Sequence, residues 1–204
     1  EVVVIHDSTV DRTTSGTGRV NALTAAQLGS LDAGNGAPVP RLSSVLELIC
    51  GRCMLLLELK SDAWSSMYEG LAEKVAQLVS AHGAGPWVIA QSFEAGYLRA
   101  LRALEPSMQL ALLVYPWRLL LDYSVLSSNE HVAPVCVNPF FMRCTHALVS
   151  GLHARGVKVY CWTVDSERSM LGVMRAGVDG VITNRTDLAI AARAQFAKSL
   201  QSMS

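Results

Sequence analysis

Residues 54–60 have the sequence Met-Leu-Leu-Leu-Glu-Leu-Lys, and this short stretch decides the fold. Successive side chains of a β-strand point to opposite faces, so three leucines fill one face while Glu58 and Lys60 end the other. The leucine face can pack beneath helices, as in the buried parallel sheets of α/β proteins. The sequence therefore predicts a buried strand that carries charged side chains at its carboxyl end.

Five further segments are short, apolar and rich in Val, Ile or Leu: residues 87–92, 110–114, 133–138, 157–164 and 180–183. Segments with helical spacing separate them, and the strands recur roughly every 22 to 24 residues, the rhythm of consecutive βα units. No G-x-G-x-x-G motif follows any strand, which disfavours a dinucleotide-binding sheet. The pattern predicts an α/β fold with a TIM-type (β/α)8 barrel, of which about six strands are visible. We expect the remaining strands to precede Glu1, where the chain begins abruptly.

The N-terminal part follows a different pattern. Residues 2–6 are apolar and predict a strand that ends in His6 and Asp7. Short helices are predicted at residues 24–31, with Thr24 as the N-cap, and at residues 42–49 after a proline-led entry.

Composition limits the function classes. The chain has 204 residues, is 50% hydrophobic, and carries 17 basic and 17 acidic side chains, so its formal net charge is zero. We therefore expect one globular domain over residues 1–204 and no nucleic-acid partner. The mean hydropathy is high at +0.29, but Arg118 interrupts the most apolar run, so no transmembrane segment is expected.

Five cysteines, an odd number in a chain without a recognisable secretion signal, favour reduced thiols and a cytoplasmic location. Cys50 and Cys53 form a C-x-x-C motif, which has redox and zinc interpretations. Here the pair ends a predicted helix instead of opening one, and no second C-x-x-C exists. We interpret both residues as ordinary residues of a helix-to-strand connection.

The charges on the first strand have two interpretations. Glu58 and Lys60 could form an internal ion pair, which would satisfy both. Alternatively, Glu58 is a ligand for a hard cation beside a phosphate-binding ammonium group on Lys60. Active groups of such barrels lie at the carboxyl ends of strands, which favours the second interpretation.

His6 shares a face with two valines of the N-terminal segment, and by itself it could equally be a structural histidine. The residues behind it change this. Residues 6–18 read His-Asp-Ser-Thr-Val-Asp-Arg-Thr-Thr-Ser-Gly-Thr-Gly, which closely resembles the signature of the glycerophosphodiester phosphodiesterase family. Further family-like motifs follow in order: Pro-Arg-Leu at 40–42, Leu-Glu-Leu-Lys at 57–60, Gln-Ser-Phe at 91–93, Cys-Trp-Thr-Val-Asp at 161–165 and Gly-Val-Asp-Gly-Val-Ile-Thr-Asn at 177–184.

The resemblance implies a single catalytic domain that hydrolyses glycerophosphodiesters to glycerol 3-phosphate and an alcohol, using Mg²⁺ or Ca²⁺. It implies that His6 is a general acid/base and Glu58 a metal carboxylate. Lys60 would neutralise phosphate charge, and Trp162 would form an apolar wall for the substrate, unless it is ordinary core packing. The family's partner histidine, an arginine and the other metal carboxylates cannot be placed here. We therefore expect the chain alone to be inactive and its parent polypeptide to be the enzyme.

Two alternatives remain open at this point. One is a phosphodiesterase for lysophospholipids or sphingolipids on the same barrel, for which Trp117 and the leucines at 119–121 are a candidate apolar lip. The other is a non-catalytic barrel remnant used for binding.

Overall fold

The computed structural model describes residues 1–62, 66–115 and 134–202. Six strands form one sheet in which neighbours follow chain order: β1 Leu55–Glu58, β2 Val88–Ser92, β3 Gln109–Val114, β4 Cys136–Pro139, β5 Lys158–Cys161 and β6 Gly180–Val181. The last four pair in parallel, with Leu112 opposite Val137 and Cys161 opposite Val181. The predicted α/β fold with parallel strands is confirmed. The candidate lip at residues 117 and 119–121 lies outside the described residues.

Seven α-helices lie in the described ranges: α1 Ala25–Gly29, α2 Leu42–Ile49, α3 Leu71–Ala81, α4 Ala95–Leu104, α5 His146–His153, α6 Glu167–Ala176 and α7 Thr186–Gln201. Helix α2 has the predicted bounds. Helix α1 is capped by Thr24, whose side chain and that of Gln27 each accept from the other's backbone N–H. Helix α7 was not predicted, because only Ala192 is buried and its apolar residues mark no strong face.

Two compact units divide the chain. The first comprises Glu1–Ala90 and Gly96–Gln109, and the second Gln91–Ala95 and Leu110–Ser204. In the second unit, β3 is buried from Leu110 onwards. The prediction of one domain over residues 1–204 is not tested by this division.

The predicted strand at residues 2–6 is wrong. Its residues form only an isolated antiparallel bridge between Val3 and Arg41. The amide of Val4 donates to Pro40, and that of Leu42 donates to Val2. The segment is therefore tied along one side to the chain that enters α2. An alternating apolar pattern predicts a half-buried extended chain, but not the number of hydrogen-bonded neighbours it will have.

The five cysteines are free thiols. Cys50 ends α2 in a left-handed conformation, and both it and Cys53 are exposed in the connection to β1. Among the described residues, no helix is both long and apolar enough to cross a bilayer.

Candidate active site

Glu58 is the last residue of β1, and Lys60 follows it by two positions. Between them Leu59 is 3% exposed, so its side chain points into the core and the two charged side chains share the opposite direction. Glu58 Oε1 lies 3.7 Å from Lys60 Nζ. Burial raises the pKa of Glu58 even though Lys60 and His6 act against it. The internal ion pair considered from the sequence therefore exists, but it does not fully offset the desolvation of the carboxylate.

His6 joins the two strand residues, although 54 positions separate it from Lys60. Its Nε2 lies 3.0 Å from Lys60 Nζ, and its Nδ1 lies 2.7 Å from Oδ1 of Asp7. Three of the four residues proposed from the sequence are thus brought together in the first unit. The ring is 72% exposed, so solvent and a ligand can reach it.

Asp7 is held by Arg12 as well as by His6. The Nε and Nη2 groups of Arg12 donate to the two carboxylate oxygens at 2.6 and 2.9 Å. These hydrogen bonds, with that of His6 next in size, hold the pKa of Asp7 well below its usual range. Sequence reasoning singled out Asp7 only as the second member of the His6-Asp7 pair, and it gave Arg12 no role of its own. The motif places Asp7 and Arg12 close to His6 in the sequence, but it does not show that their side chains meet.

The loop that carries Arg12 is held by a buried side chain and by hydrogen bonds between its own residues. Fully buried Val10 anchors it in an apolar cluster with Leu28 and Val39. The hydroxyl of Thr14 donates to the Val10 carbonyl at 2.7 Å, and the amide of Gly18 donates to the Asp11 carboxylate at 3.0 Å. The Asp-Arg-Thr-Thr run is therefore a loop, and the residues on either side of Arg12 hold it in its conformation.

Glycines 16 and 18 explain why this motif ends in Gly-Thr-Gly. A Cβ at Gly16 would lie 2.7 Å from a methyl of Leu31, and Gly18 has φ of +109°. A side chain at the first position would have to displace the end of Leu31. The second position adopts a backbone conformation that other residues rarely reach.

Trp162 belongs to the second unit. It directly follows β5, is half-buried, and donates its indole N–H to the Asn138 carbonyl at 2.7 Å. Its ring packs edge-on against Phe93 at 5.3 Å and Phe140 at 5.5 Å, and Phe93 stacks on Tyr115 at 4.2 Å. These rings satisfy the packing interpretation of Trp162, while its partial exposure leaves the role of a wall open.

Each of these four aromatic residues is the first residue after a strand, from β2 to β5. The sequence contained this regularity, but only the strand ends seen in the structure reveal it. Carboxyl ends of barrel strands are where active groups gather, so the row lies at the functional end of its strands.

The donor groups around Glu58 limit the kind of metal site it can form. No three His, Cys, Asp or Glu side chains converge as a metal-binding group in the part of the chain that the structure describes. Mg²⁺ commonly uses one or two carboxylates together with water and phosphate oxygens. Glu58 therefore fits as a single ligand but not as a complete site.

The fold and the sequence both resemble those of known proteins. The fold is that of TIM-type barrel proteins: a solved structure from Agrobacterium tumefaciens superposes with a TM-score of 0.84 at 22% identity, covering 96% of this chain and 81% of that one. The sequence matches the model of the glycerophosphoryl diester phosphodiesterase family over residues 1–188. The chain belongs to this family.

Individual relatives agree with the family match. A glycerophosphodiester phosphodiesterase of Caldanaerobacter subterraneus is 35% identical over 196 residues, which are 90% of this chain and 76% of the relative. The crystal structure of a glycerophosphodiester phosphodiesterase from Agrobacterium tumefaciens is 25% identical, with a TM-score of 0.75 and coverage of 93% and 80%.

Proposed function

We propose that the protein is a phosphoric diester hydrolase that converts glycerophosphodiesters to glycerol 3-phosphate and an alcohol. The names of its relatives indicate this reaction class. The observation that carries the proposal is the contact between His6 Nε2 and Lys60 Nζ beside the half-buried Glu58. An acid/base group can transfer protons in phosphodiester cleavage, and a positively charged group can stabilise the phosphate charge.

His6 is proposed as the general acid/base. A lysine ammonium can only donate hydrogen bonds, so the Nε2 atom that it contacts is an acceptor. This atom can take a proton from an attacking oxygen or, once protonated, give one to the leaving alcohol. An in-line displacement also needs a proton donor or acceptor on the opposite side of phosphorus, which His6 cannot supply. The expectation that the chain alone is inactive stays a prediction.

Lys60 is proposed as the phosphate-binding cation. It stands between His6 Nε2 and Glu58, and its side chain is 32% exposed. A phosphodiester anion offers the ammonium a stronger acceptor than an imidazole does. When Lys60 turns to the phosphate, the Nε2 atom of His6 becomes available for proton transfer.

Glu58 is proposed as one ligand of a divalent cation, Mg²⁺ or Ca²⁺. Such a cation, when bound, supplies positive charge that stabilises the phosphate oxygens in the transition state. A carboxylate whose burial raises its pKa gains from a nearby cation, because the added charge offsets its desolvation. Trp162 is proposed as an apolar wall for the glycerol or alcohol portion. The free thiols fit a reducing compartment, and we propose a cytoplasmic location.

The test is hydrolysis of glycerophosphocholine, with and without added Mg²⁺ or Ca²⁺, by the parent polypeptide that is expected to be the enzyme. The present chain alone is assayed beside it and is expected to be inactive. We expect His6→Asn to lower kcat by about 10²- to 10⁴-fold and Lys60→Met to raise KM and lower kcat. His146 is an exposed histidine whose Nε2 contacts Ser150, so His146→Asn is the matched control and should leave the rate unchanged. Full activity of the His6 variant would overturn the proposal.

The same assay separates the alternatives. Faster turnover of lysophosphatidylcholine than of glycerophosphocholine would identify a lipid phosphodiesterase. If the parent polypeptide cleaves neither substrate and neither cation alters its thermal stability, the protein is a non-catalytic relative.

A further inference from the structure

Four side chains form one continuous hydrogen-bonded chain through His6. Arg12 donates twice to Asp7, Asp7 contacts Nδ1 of His6 at 2.7 Å, and Lys60 contacts Nε2 at 3.0 Å. The Lys60 ammonium group sets which atoms of this chain donate and which accept. Lys60 can only donate, so Nε2 holds a lone pair, and in the neutral ring the proton is then on Nδ1. That proton is donated to the Asp7 carboxylate.

We infer that Asp7 and Arg12 are positioning residues for His6: Asp7 fixes the Nδ1–H tautomer and the ring orientation, and Arg12 fixes Asp7. The structural part of this inference stands on the contacts, whereas its effect on turnover rests on the proposed function. A histidine used as a base at Nε2 must carry its proton on Nδ1, and a carboxylate at Nδ1 is the group that enforces this.

The need for such a restraint follows from exposure. The His6 ring is 72% exposed, so packing does not hold its side-chain torsions. An exposed neutral imidazole without partners samples both tautomers and several rotamers. Asp7, at 26% exposure, is the more buried partner, and two hydrogen bonds from a planar guanidinium fix the plane of its carboxylate.

Arg12 in turn is held by the loop around it, since Val10 is fully buried and Thr14 bonds back to its carbonyl. The guanidinium remains 63% exposed. Ion pairs between exposed groups contribute little to stability, so stability alone does not account for this arrangement. The strongly favoured ionised form of Asp7 supports the inference, because only the carboxylate is a pure acceptor for Nδ1–H.

The experiment measures the tautomer directly. In protein labelled with ¹⁵N-histidine, two-bond proton–nitrogen correlations at about pH 8.5, where imidazole is neutral, distinguish Nδ1–H from Nε2–H. The His6 signals are assigned by their loss in His6→Gln. We expect wild type to show Nδ1–H. Asp7→Ala should lose this preference, and Asp7→Asn should also lose it, because the amide can donate to Nδ1.

Arg12 and a control complete the set. Arg12→Ala should weaken the Nδ1–H preference, and Arg12→Lys should retain more of it than Arg12→Ala. Asp187 is an exposed aspartate that also receives two hydrogen bonds from an arginine, Arg185, so Asp187→Ala is the matched control and should leave the His6 signals unchanged. Melting temperatures should stay within about 2 °C of wild type, because these ion pairs are exposed.

An Nε2–H signal in wild type, or an unchanged His6 spectrum in Asp7→Ala, would overturn the inference. Where turnover is measurable, Asp7→Asn should lower kcat by about 10- to 10³-fold with a smaller change in KM. If the tautomer shifts as expected but no diester is hydrolysed, the positioning contact stands and the proposed function fails. If turnover is present but indifferent to Asp7, the catalytic part of the inference fails.

Discussion

At the residue scale, Glu58 occupies an environment that disfavours its own charge. Because the pKa of this carboxyl is raised by burial, the folded protein holds the proton more tightly than the unfolded chain does. The free energy of unfolding contributed by this group therefore falls as pH rises above the ordinary carboxyl range. The cost of burying the charged carboxylate therefore lowers stability at neutral pH relative to acid pH.

We therefore expect Glu58→Gln to raise the melting temperature at pH 7 and to have little effect near pH 4, where an ordinary glutamate is largely protonated. Thermal denaturation at both values measures this difference. Glu69 is exposed, so Glu69→Gln is the control and should change little at either pH. A lower melting temperature of Glu58→Gln at pH 7 would mean that the Lys60 contact outweighs the cost of burial.

The sequence allowed part of this site to be predicted. Glu58 and Lys60 follow from strand alternation, because two charges on the face opposite three leucines must end at one edge of the sheet. His6 required the motif behind it. The contact of Arg12 with Asp7 could not be predicted, because it depends on the path of an irregular loop. No spacing rule fixes the side-chain contacts of such a loop.

At the scale of elements, β2 and β4 are joined across β3 by a buried pair of amides. Gln91 is 6% exposed and Asn138 is fully buried, and the Asn138 amide donates to Gln91 Oε1 at 2.7 Å. The other oxygen, Asn138 Oδ1, is buried without a hydrogen-bond partner in the described structure. Removing one amide would leave the other buried and unsatisfied, whereas removing both would leave an apolar interior.

A double-mutant cycle tests this coupling. We expect Gln91→Met and Asn138→Leu each to lower the free energy of unfolding by about 1–3 kcal/mol. The double variant should lose clearly less than the sum, since the two groups share one interaction. Urea unfolding of the four proteins gives these values. Simple additivity would show that the two amides contribute to stability independently of each other.

Helices and strands were predicted best where the buried residues lie on one face of the element. Helix α2 was placed at its observed bounds because Leu42 and Leu46 lie on one buried side. Two elements were mistaken for opposite reasons. Helix α7 has good helix formers but a weak apolar face, and residues 2–6 have an apolar pattern but only one hydrogen-bonded neighbour. The spacing of apolar residues indicates which side chains are buried. It therefore does not predict secondary structure where a helix has few buried residues or a half-buried segment is not a strand.

At the scale of the whole molecule, charge balance is the property that the sequence fixes most directly. Basic and acidic side chains cancel, and the isoelectric point is about 7.2. A protein without net charge lacks the repulsion that keeps copies apart, so solubility should be lowest near pH 7. Exposed apolar side chains, such as Ile190 at 64% exposure on α7, add short-range attraction.

Substitutions of Ile190 can separate the effect of net charge on solubility from the effect of exposed apolar surface. Ile190→Lys should move the pH of lowest solubility upward and Ile190→Glu should move it downward, because each changes the net charge by one. Ile190→Thr removes the apolar surface without adding charge, so it should reduce aggregation without moving the minimum. Light scattering of concentrated samples across about pH 5 to 9 measures both effects. If all three variants aggregate like wild type at every pH, neither the net charge nor this side chain limits solubility, and a different surface drives association.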